Sequence, residues 1–464
     1  MSTDPRARGA LPSRREVLQS SALGFGALAL RGLLDGDAVI AAQRGARAKR
    51  VIFLFMHGGP SQVDTFDWKP LLHRDNGKAF PGTRPRVNFA KTETLLASPW
   101  EFAQHGQSGA WVSTLFPHVA GIVDQLCFVK SLHGTNAAHG GALLALHTGS
   151  DTFVRPSMGS WITYGLGSEN KELPGFLSIC PTLGHGGVAN WSNAFLPAQF
   201  AGVPMGHAGT KAQEAKIAFL GGGDATLQPL QLDALRALNA QHAAARLEDQ
   251  TLQARIASLE TGFRMQSAAA SLTDISGESA ATLALYGIDE SKTENFGRQC
   301  LLARRAAASG VRFVQCSHSY KWDQHGELKS GHESNAAEVD KPIAGLIRDL
   351  QAHGLLEDTL VLWAGEFGRT PTRQGAMGAA AGRDHNPHGF TVFMAGGGIK
   401  AGTSFGATDD YGWFAAEDKV HVHDLHATML HLLGIDHEQL TFRHAGRDFR
   451  LTDTAGRVVT EICA

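Results

Sequence analysis

Short apolar runs recur along the chain with almost no polar alternation: Val51–Met56, Cys127–Ser131, Val311–Cys316, Thr359–Ala364 and Phe390–Ala395. A strand exposed on one face alternates apolar and polar residues, whereas a continuous run predicts a strand buried on both faces, as in a parallel sheet. Phe176–Cys180 and Phe195–Phe200 predict two shorter strands within an irregular, Pro- and Gly-punctuated stretch, residues 151–230. Between the runs the apolar period lengthens to three and four residues. Helices are predicted over Pro117–Leu126, over Gly140–His147 with Gly149 as its stop, over Gly297–Gly310, over Ala336–His353 and over Asp424–Gly434. In Ala336–His353, the residues Val339, Ile343, Leu346, Ile347 and Leu350 share one face. Residues 70–110 are polar and read as loop. Residues 231–281 carry helical spacing with charges between, which predicts an inserted helical hairpin or, alternatively, a coiled-coil partner surface. Strands alternating with helices imply an α/β fold with a mostly parallel central sheet between helices. One domain, residues 48–464, would hold all of it.

The ends of the apolar runs carry the chemistry. In open α/β sheets, ligands bind beyond the carboxyl ends of the strands. Val51–Met56 runs into His57-Gly58-Gly59-Pro60-Ser61, with Asp64 and Asp67 just behind. Asp64 reads either as a ligand or as a helix cap. Val311–Cys316 is followed by His318 and then Trp322-Asp323-Gln324-His325, with His332 further on. Asp and His two apart in a loop can point into one site. Thr359–Ala364 is followed by Glu366 and Arg369, and Phe390–Ala395 is preceded by Asp384, His385 and His388. His139 opens the predicted helix at 140–147, where an imidazole can coordinate a metal or join exposed amides in binding an anion. The loop within residues 358–399 is therefore expected to form a metal-dependent site with these other strand ends.

Composition narrows the function. A formal net charge of -2 over 464 residues argues against a nucleic-acid binder. Many of the 22 histidines lie beside Gly or Asp next to apolar runs, where metal ligands are often found. Five scattered cysteines with no CxxC pair give no disulfide framework. At the start, Arg6, Arg8, Arg14 and Arg15 precede the small apolar stretch Val17–Leu30, the layout of an export signal ending near Ala41 or Ala42. No later stretch is long enough to span a bilayer, so the mature chain is expected to lack a transmembrane segment.

Two resemblances follow from these strings. Ser13-Arg14-Arg15-Glu16-Val17-Leu18 resembles a twin-arginine export signal, implying a periplasmic or extracellular protein and a signal peptide over residues 1–42. The ordered set VIFLFMHGGPSQVDTFD (51–67), GTNAAHGGALLALHTGS (134–150), WDQHGE (322–327), DTLVLWAGEFGRTP (358–371), GRDHNPHGF (382–390) and DLHATMLHLLG (424–434) resembles the alkaline phosphatase and sulfatase superfamily. Within it, the match is to the branch catalogued as domain of unknown function 1501. The resemblance implies an alkaline-phosphatase-like sandwich. It places the first metal-binding position on His57 with Asp64 close behind, and the nucleophile position on His139. It places an Asp-His metal pair on Glu366 and Phe367, the other metal on Asp323 with His325, and the late histidine on His385. Arg369 then becomes an anion clamp, while Asp384, His332 and His388 are further or supporting ligands.

Two departures weaken a covalent mechanism: His139 stands where a hydroxyl or formylglycine nucleophile is expected, and Phe367 stands where a histidine is. The implied activity is hydrolysis of phosphate or sulfate esters, on small anionic molecules or polysaccharides outside the cytoplasm, by a metal-activated water or His139. One or two divalent ions are expected; mixed N/O ligation suits zinc or manganese, and a carboxylate-rich site magnesium or calcium. The rival expectation is a catalytically degenerate member that binds an anionic glycan or a protein partner.

Overall fold

All seven residues of β1 (Arg50–Met56) are buried, as a continuous apolar run requires when both faces of a sheet are covered. The computed structural model describes residues 45–464 apart from 86–92, 219–226, 245–249 and 377. The expected signal peptide, residues 1–42, lies outside the described residues. The other strands of the main sheet are β2 (Leu126–His133), β3 (Phe176–Ile179), β4 (Val203–Met205), β5 (Phe313–His318) and β6 (Thr359–Ala364). A hairpin of β7 (Gly368–Gln374) and β8 (Gly382–Asn386) follows, then β9 (Phe390–Ala395), β10 (Thr403–Phe405) and β11 (Val420–His421). The sheet order is β10-β2-β9-β6-β1-β5-β3-β4, with β11 also paired to β2.

β1 lies parallel between β5 and β6, with Met56 opposite His318 and Phe55 opposite Ala364. The carboxyl ends of these three strands therefore sit side by side. β9 is the exception. It runs antiparallel to both β6 and β2, against the expectation of a parallel strand. A continuous apolar run reports burial on two faces, not direction. Here the intervening residues form the antiparallel β7–β8 hairpin at the sheet edge, not a crossover helix, so the chain re-enters the sheet from the end it left. Trp363 and Phe393 stack face to face across this pairing at 5.0 Å, and Phe66, Phe116 and Phe128 close around them. Such aromatic pairs add about 0.5–1.5 kcal/mol each beyond their area.

The longer helices are α1 (His139–Thr148), α2 (Met158–Leu166), α3 (Leu227–Ala244), α4 (Gln250–Thr273), α5 (Glu294–Ala308), α6 (Leu328–Ala352) and α7 (Val422–Leu432). α3 and α4 stand in place of the expected hairpin; its turn falls outside the described residues. α1 ends where predicted: Gly149 has φ +71°, and a Cβ there would sit 2.0 Å from the Leu451 carbonyl oxygen. Two expectations fail. The helix expected over Pro117–Leu126 is one turn, Pro117–Ala120, broken at Gly121 before a 3₁₀ turn at Val123–Gln125. Phe195–Phe200 is not a strand and holds a 3₁₀ turn at Ala198–Phe200. Residues 70–110 contain a short helix, Pro70–Arg74, and the start of a hairpin of Phe102–His105 with Ala110–Ser113. No described helix is long and apolar enough to cross a membrane.

α6 buries its predicted face, Val339, Ile343, Leu346, Ile347 and Leu350, against the core. Two carboxylates, Asp340 and Asp349, are buried with it. Asp340 accepts hydrogen bonds from the backbone N–H groups of His118 and Val119, both at 2.8 Å, capping the Pro117–Ala120 turn. Burial pushes this carboxyl up to about 6 although both amides pull it down. The folded protein thus binds a proton that the unfolded chain, with an ordinary carboxyl, has already released. The stability contributed by that proton is complete below the unfolded value and lost as pH rises through about 6. Relative to Asp340→Asn, wild type should lose about 3 kcal/mol between pH 3 and pH 7. Urea unfolding of both proteins across that range checks it; parallel curves would refute the shift.

Candidate metal centre

Loops leaving β1, β5 and β6 meet the β7–β8 hairpin and the start of α1 at one point on the sheet edge. Asp323, in the loop after β5, is its hub. Its Oδ1 lies 3.2 Å from His139 Nε2, 3.1 Å from His325 Nε2 and 3.2 Å from His385 Nε2. It also accepts a hydrogen bond from Arg369 Nη2 at 2.7 Å. These four residues, His139, Asp323, His325 and His385, offer ligand atoms within 4.8 Å of one another and form a group able to hold a metal ion.

Each imidazole is turned the same way by its other nitrogen. His139 Nδ1 lies 2.6 Å from Glu366 Oε1, His325 Nδ1 lies 2.7 Å from Gln374 Oε1, and His385 Nδ1 lies 2.6 Å from the Ala137 carbonyl oxygen. All three partners are acceptors, so each Nδ1 carries a proton, and each Nε2 faces Asp323, where it gives its lone pair to a cation or, without one, takes up a second proton and donates it to the carboxylate. Metal-binding histidines are oriented in this manner. His325 Nε2 and His385 Nε2 stand 2.9 Å apart, a repulsive spacing for two lone pairs unless a cation or protons lie between. His139 Nε2 is buried without a hydrogen-bond partner, and so is Asp384 Oδ2. On these grounds the residues fit a divalent cation.

The electrostatics agree in sign. Burial pushes the Asp323 carboxyl up, but the imidazoles of His139, His325 and His385 that face it and the Arg369 charge hold it far below the usual range. Burial lowers His139, yet the Asp323 and Glu366 carboxylates on either side of it prevail and raise it. The Asp323 hydrogen bond raises His325, whereas burial lowers His385. Glu366 is fully buried. Despite the upward push of burial, the His139 bond and the neighbouring imidazoles keep it below its ordinary value, and both its oxygens accept the Gly58 N–H.

Other expected residues take different places. His57 is buried beside this group, stacked on Phe55, and burial lowers it to about 4. Arg369 is no anion clamp. Its guanidinium is fully buried and bonds the carbonyls of Gly58, Gly59, Trp322 and Arg383 as well as Asp323. Asp64 lies apart from the imidazoles, in a two-point ion pair with Arg383: Nε to Oδ2 is 2.6 Å and Nη2 to Oδ1 is 3.1 Å. Ser61 Oγ also donates to Asp64. His332 lies behind the β1 loop, between Trp100 and Trp322, where its Nε2 accepts the Ser61 N–H at 3.2 Å. Asp384 Oδ1 accepts the His385 N–H and lies 3.8 Å from His325 Nδ1. His388 faces Phe414, away from the group. Phe367 lays its ring on His385 and near His139, forming an apolar wall.

The loop around Gly58 has no slack. Gly58 has φ +117°, and a Cβ there would approach the backbone of Trp322 and Asp323 to 2.6–2.8 Å. Three residues at this site were not foreseen. Gln374, the last residue of β7, carries the amide that anchors His325. Tyr320 donates to Asp323 Oδ2 at 3.2 Å with its backbone at φ +43°. His185 lies in the irregular stretch after β3, its ring stacked on His139 at 4.8 Å. A usable signal existed for the last: His185 begins a His-Gly-Gly tripeptide, as His57 and His139 do.

The family model described as "Protein of unknown function (DUF1501)" matches residues 48–463. No curated protein matches the chain. Among solved structures, it is similar to the lipoteichoic acid synthase LtaP from Listeria monocytogenes, with 10% identity and TM-score 0.37 over 91% of this chain and 80% of that one. It is similar to the PsFucS1 sulfatase from Pseudoalteromonas sp., with 12% identity and TM-score 0.34 over 94% and 75%. It is similar also to alkaline phosphatase from the Antarctic bacterium TAB5, with 12% identity and TM-score 0.32 over 79% and 96%. All three are distant likenesses.

The placement of Asp64 separates support from ligation. Asp64→Asn, which leaves the buried Arg383 without its counter-charge, should cost about 3–5 kcal/mol of stability. It should leave the metal content per folded chain unchanged. Denaturant unfolding and elemental analysis of the purified variant check both halves; loss of metal without loss of stability would make Asp64 a ligand.

Proposed function

The chain belongs to the DUF1501 family of proteins of unknown function, and on that premise we propose that it is an exported, metal-dependent hydrolase of phosphate or sulfate esters. The carrying observation is the convergence of three imidazoles, each anchored through Nδ1, on one oxygen of Asp323. The ester class is supported by the ordered strings shared with the alkaline phosphatase and sulfatase superfamily, and export by the twin-arginine-like start. Three nitrogens and one carboxylate favour zinc, with manganese next; magnesium and calcium want more oxygen donors.

His139, Asp323, His325 and His385 would hold a divalent cation, which would supply Lewis-acid charge for an ester oxyanion and make water a better nucleophile. The chain's own residues do the rest. Glu366, Gln374 and the Ala137 carbonyl fix the three ring orientations. Arg369 ties Asp323 to the Gly58–Gly59 turn, which fixes its carboxylate. Phe367 excludes water from one side. His57, lowered to about 4 by burial, stays neutral at working pH and adds no charge that would repel a cation. Tyr320, whose hydroxyl bonds Asp323 Oδ2, is exposed at the mouth and is the nearest phenol to an incoming ester.

One observation favours the second reading, a binding protein: the arginine expected to clamp the anion is spent on the protein interior. A panel of aryl and sugar phosphate and sulfate esters, assayed with metal-free protein and after adding back each ion, distinguishes the two. The hydrolase should need zinc or manganese. Asp323→Ala and His325→Ala should each weaken metal binding and lower kcat/KM by at least about a hundredfold, or about 3 kcal/mol. Full activity in metal-free protein or in an Asp323→Ala, Glu366→Ala double variant would overturn the mechanism. Stoichiometric metal with no ester turned over would favour the binding protein.

A further inference from the structure

The chain contains three His-Gly-Gly tripeptides, at 57–59, 139–141 and 185–187, and all three meet. His57, His139 and His185 bring ring nitrogens within 4.8 Å of one another. His185 Nδ1 is 3.4 Å from His57 Nε2, and the His139 and His185 rings stack at 4.8 Å and 23°. The three sites of origin are far apart in sequence: the end of β1, the first residue of α1 and the loop after β3. The backbone around His185 is bent to reach this point. His185 has φ +39°, and Gly186 and Gly187 follow at +89° and +53°. A left-handed conformation costs a residue with a Cβ on the order of 1 kcal/mol, and such strain gathers at functional positions. Asn190 Nδ2 holds the His185 carbonyl at 3.2 Å.

His139 also belongs to the Asp323 group, and it has one lone pair to give. Its Nδ1 is committed to Glu366 at 2.6 Å, which leaves Nε2. One nitrogen lone pair binds one ion. We propose that the pocket offers a single divalent cation two alternative positions. The inner one is on His139, Asp323, His325 and His385; the outer, all-imidazole one is on His57, His139 and His185, and His139 is common to both. This rests on the metal-centre reading above and adds the outer position to it. His57 is buried and His185 exposed, so the outer position faces solvent and is the first that an arriving ion meets. With imidazole donors alone it suits zinc, copper or nickel and gives magnesium or calcium no carboxylate oxygen.

Full-length protein stripped of metal and titrated with Zn²⁺ by calorimetry tests the proposal. Wild type should bind one equivalent. A His325→Ala, His385→Ala variant should still bind one, at least about tenfold more weakly, and adding His185→Ala should abolish that remainder. His185→Ala alone should keep one equivalent but take up Zn²⁺ severalfold more slowly in stopped flow. The pair His325→Gln, His385→Gln, judged folded by circular dichroism, replaces the alanine pair if that fails to fold. Two equivalents in wild type would overturn the shared lone pair. No binding in the inner-site variants, or binding indifferent to His185, would overturn the outer position. No binding in wild type would overturn the metal centre itself, a result distinct from either.

Discussion

A buried guanidinium holds the sheet edge together. Arg369, from the second residue of β7, bonds the carbonyls of Gly58 and Gly59 after β1 and the carbonyl of Trp322 after β5. It ends on the Asp323 carboxylate. A charge removed from water is tolerable only when it is paired and its donors are satisfied. Satisfying this one requires two separate loops and the β7–β8 hairpin to come within hydrogen-bond reach. The position of Asp323, and with it the meeting point of the imidazoles, follows from that requirement.

The β7–β8 hairpin carries the same logic twice. His385 sits directly opposite Arg369 in the ladder, and the register shifts between Arg383 and His385. That irregularity re-aims neighbouring side chains, as bulges do. Arg383 turns to Asp64 under the β1 loop while His385 faces Asp323. Two arginines of one hairpin thus each take an aspartate from a different strand end. A short antiparallel element inserted at the end of a parallel strand becomes the clasp of the site.

Burial was legible in the sequence because a strand covered on both faces leaves a run of apolar residues; Thr359–Ala364 and Phe390–Ala395 have the predicted bounds. Direction was not legible, since the run of β9 carries no mark of its antiparallel pairing. The meeting of His139, Asp323, His325 and His385, each expected as a site residue, follows from strand ends sharing one edge. Charge alone could not say which acid pairs with which base. Asp64 and Arg383 are 319 positions apart, and only the folded chain joins them. His185 escaped notice because no long apolar run announces the loop that carries it.

The three anchors behind the imidazoles are chemically unequal, and the centre is polarised as a result. A carboxylate stands behind His139, a neutral side-chain amide behind His325 and a main-chain carbonyl behind His385. The charged acceptor draws most strongly on the Nδ1 proton, so His139 is the most electron-rich donor of the three. It is also the first residue of α1, where the helix dipole disfavours positive charge. Glu366 therefore acts as a counterweight, restoring basicity to the one ring that the helix end would otherwise impoverish.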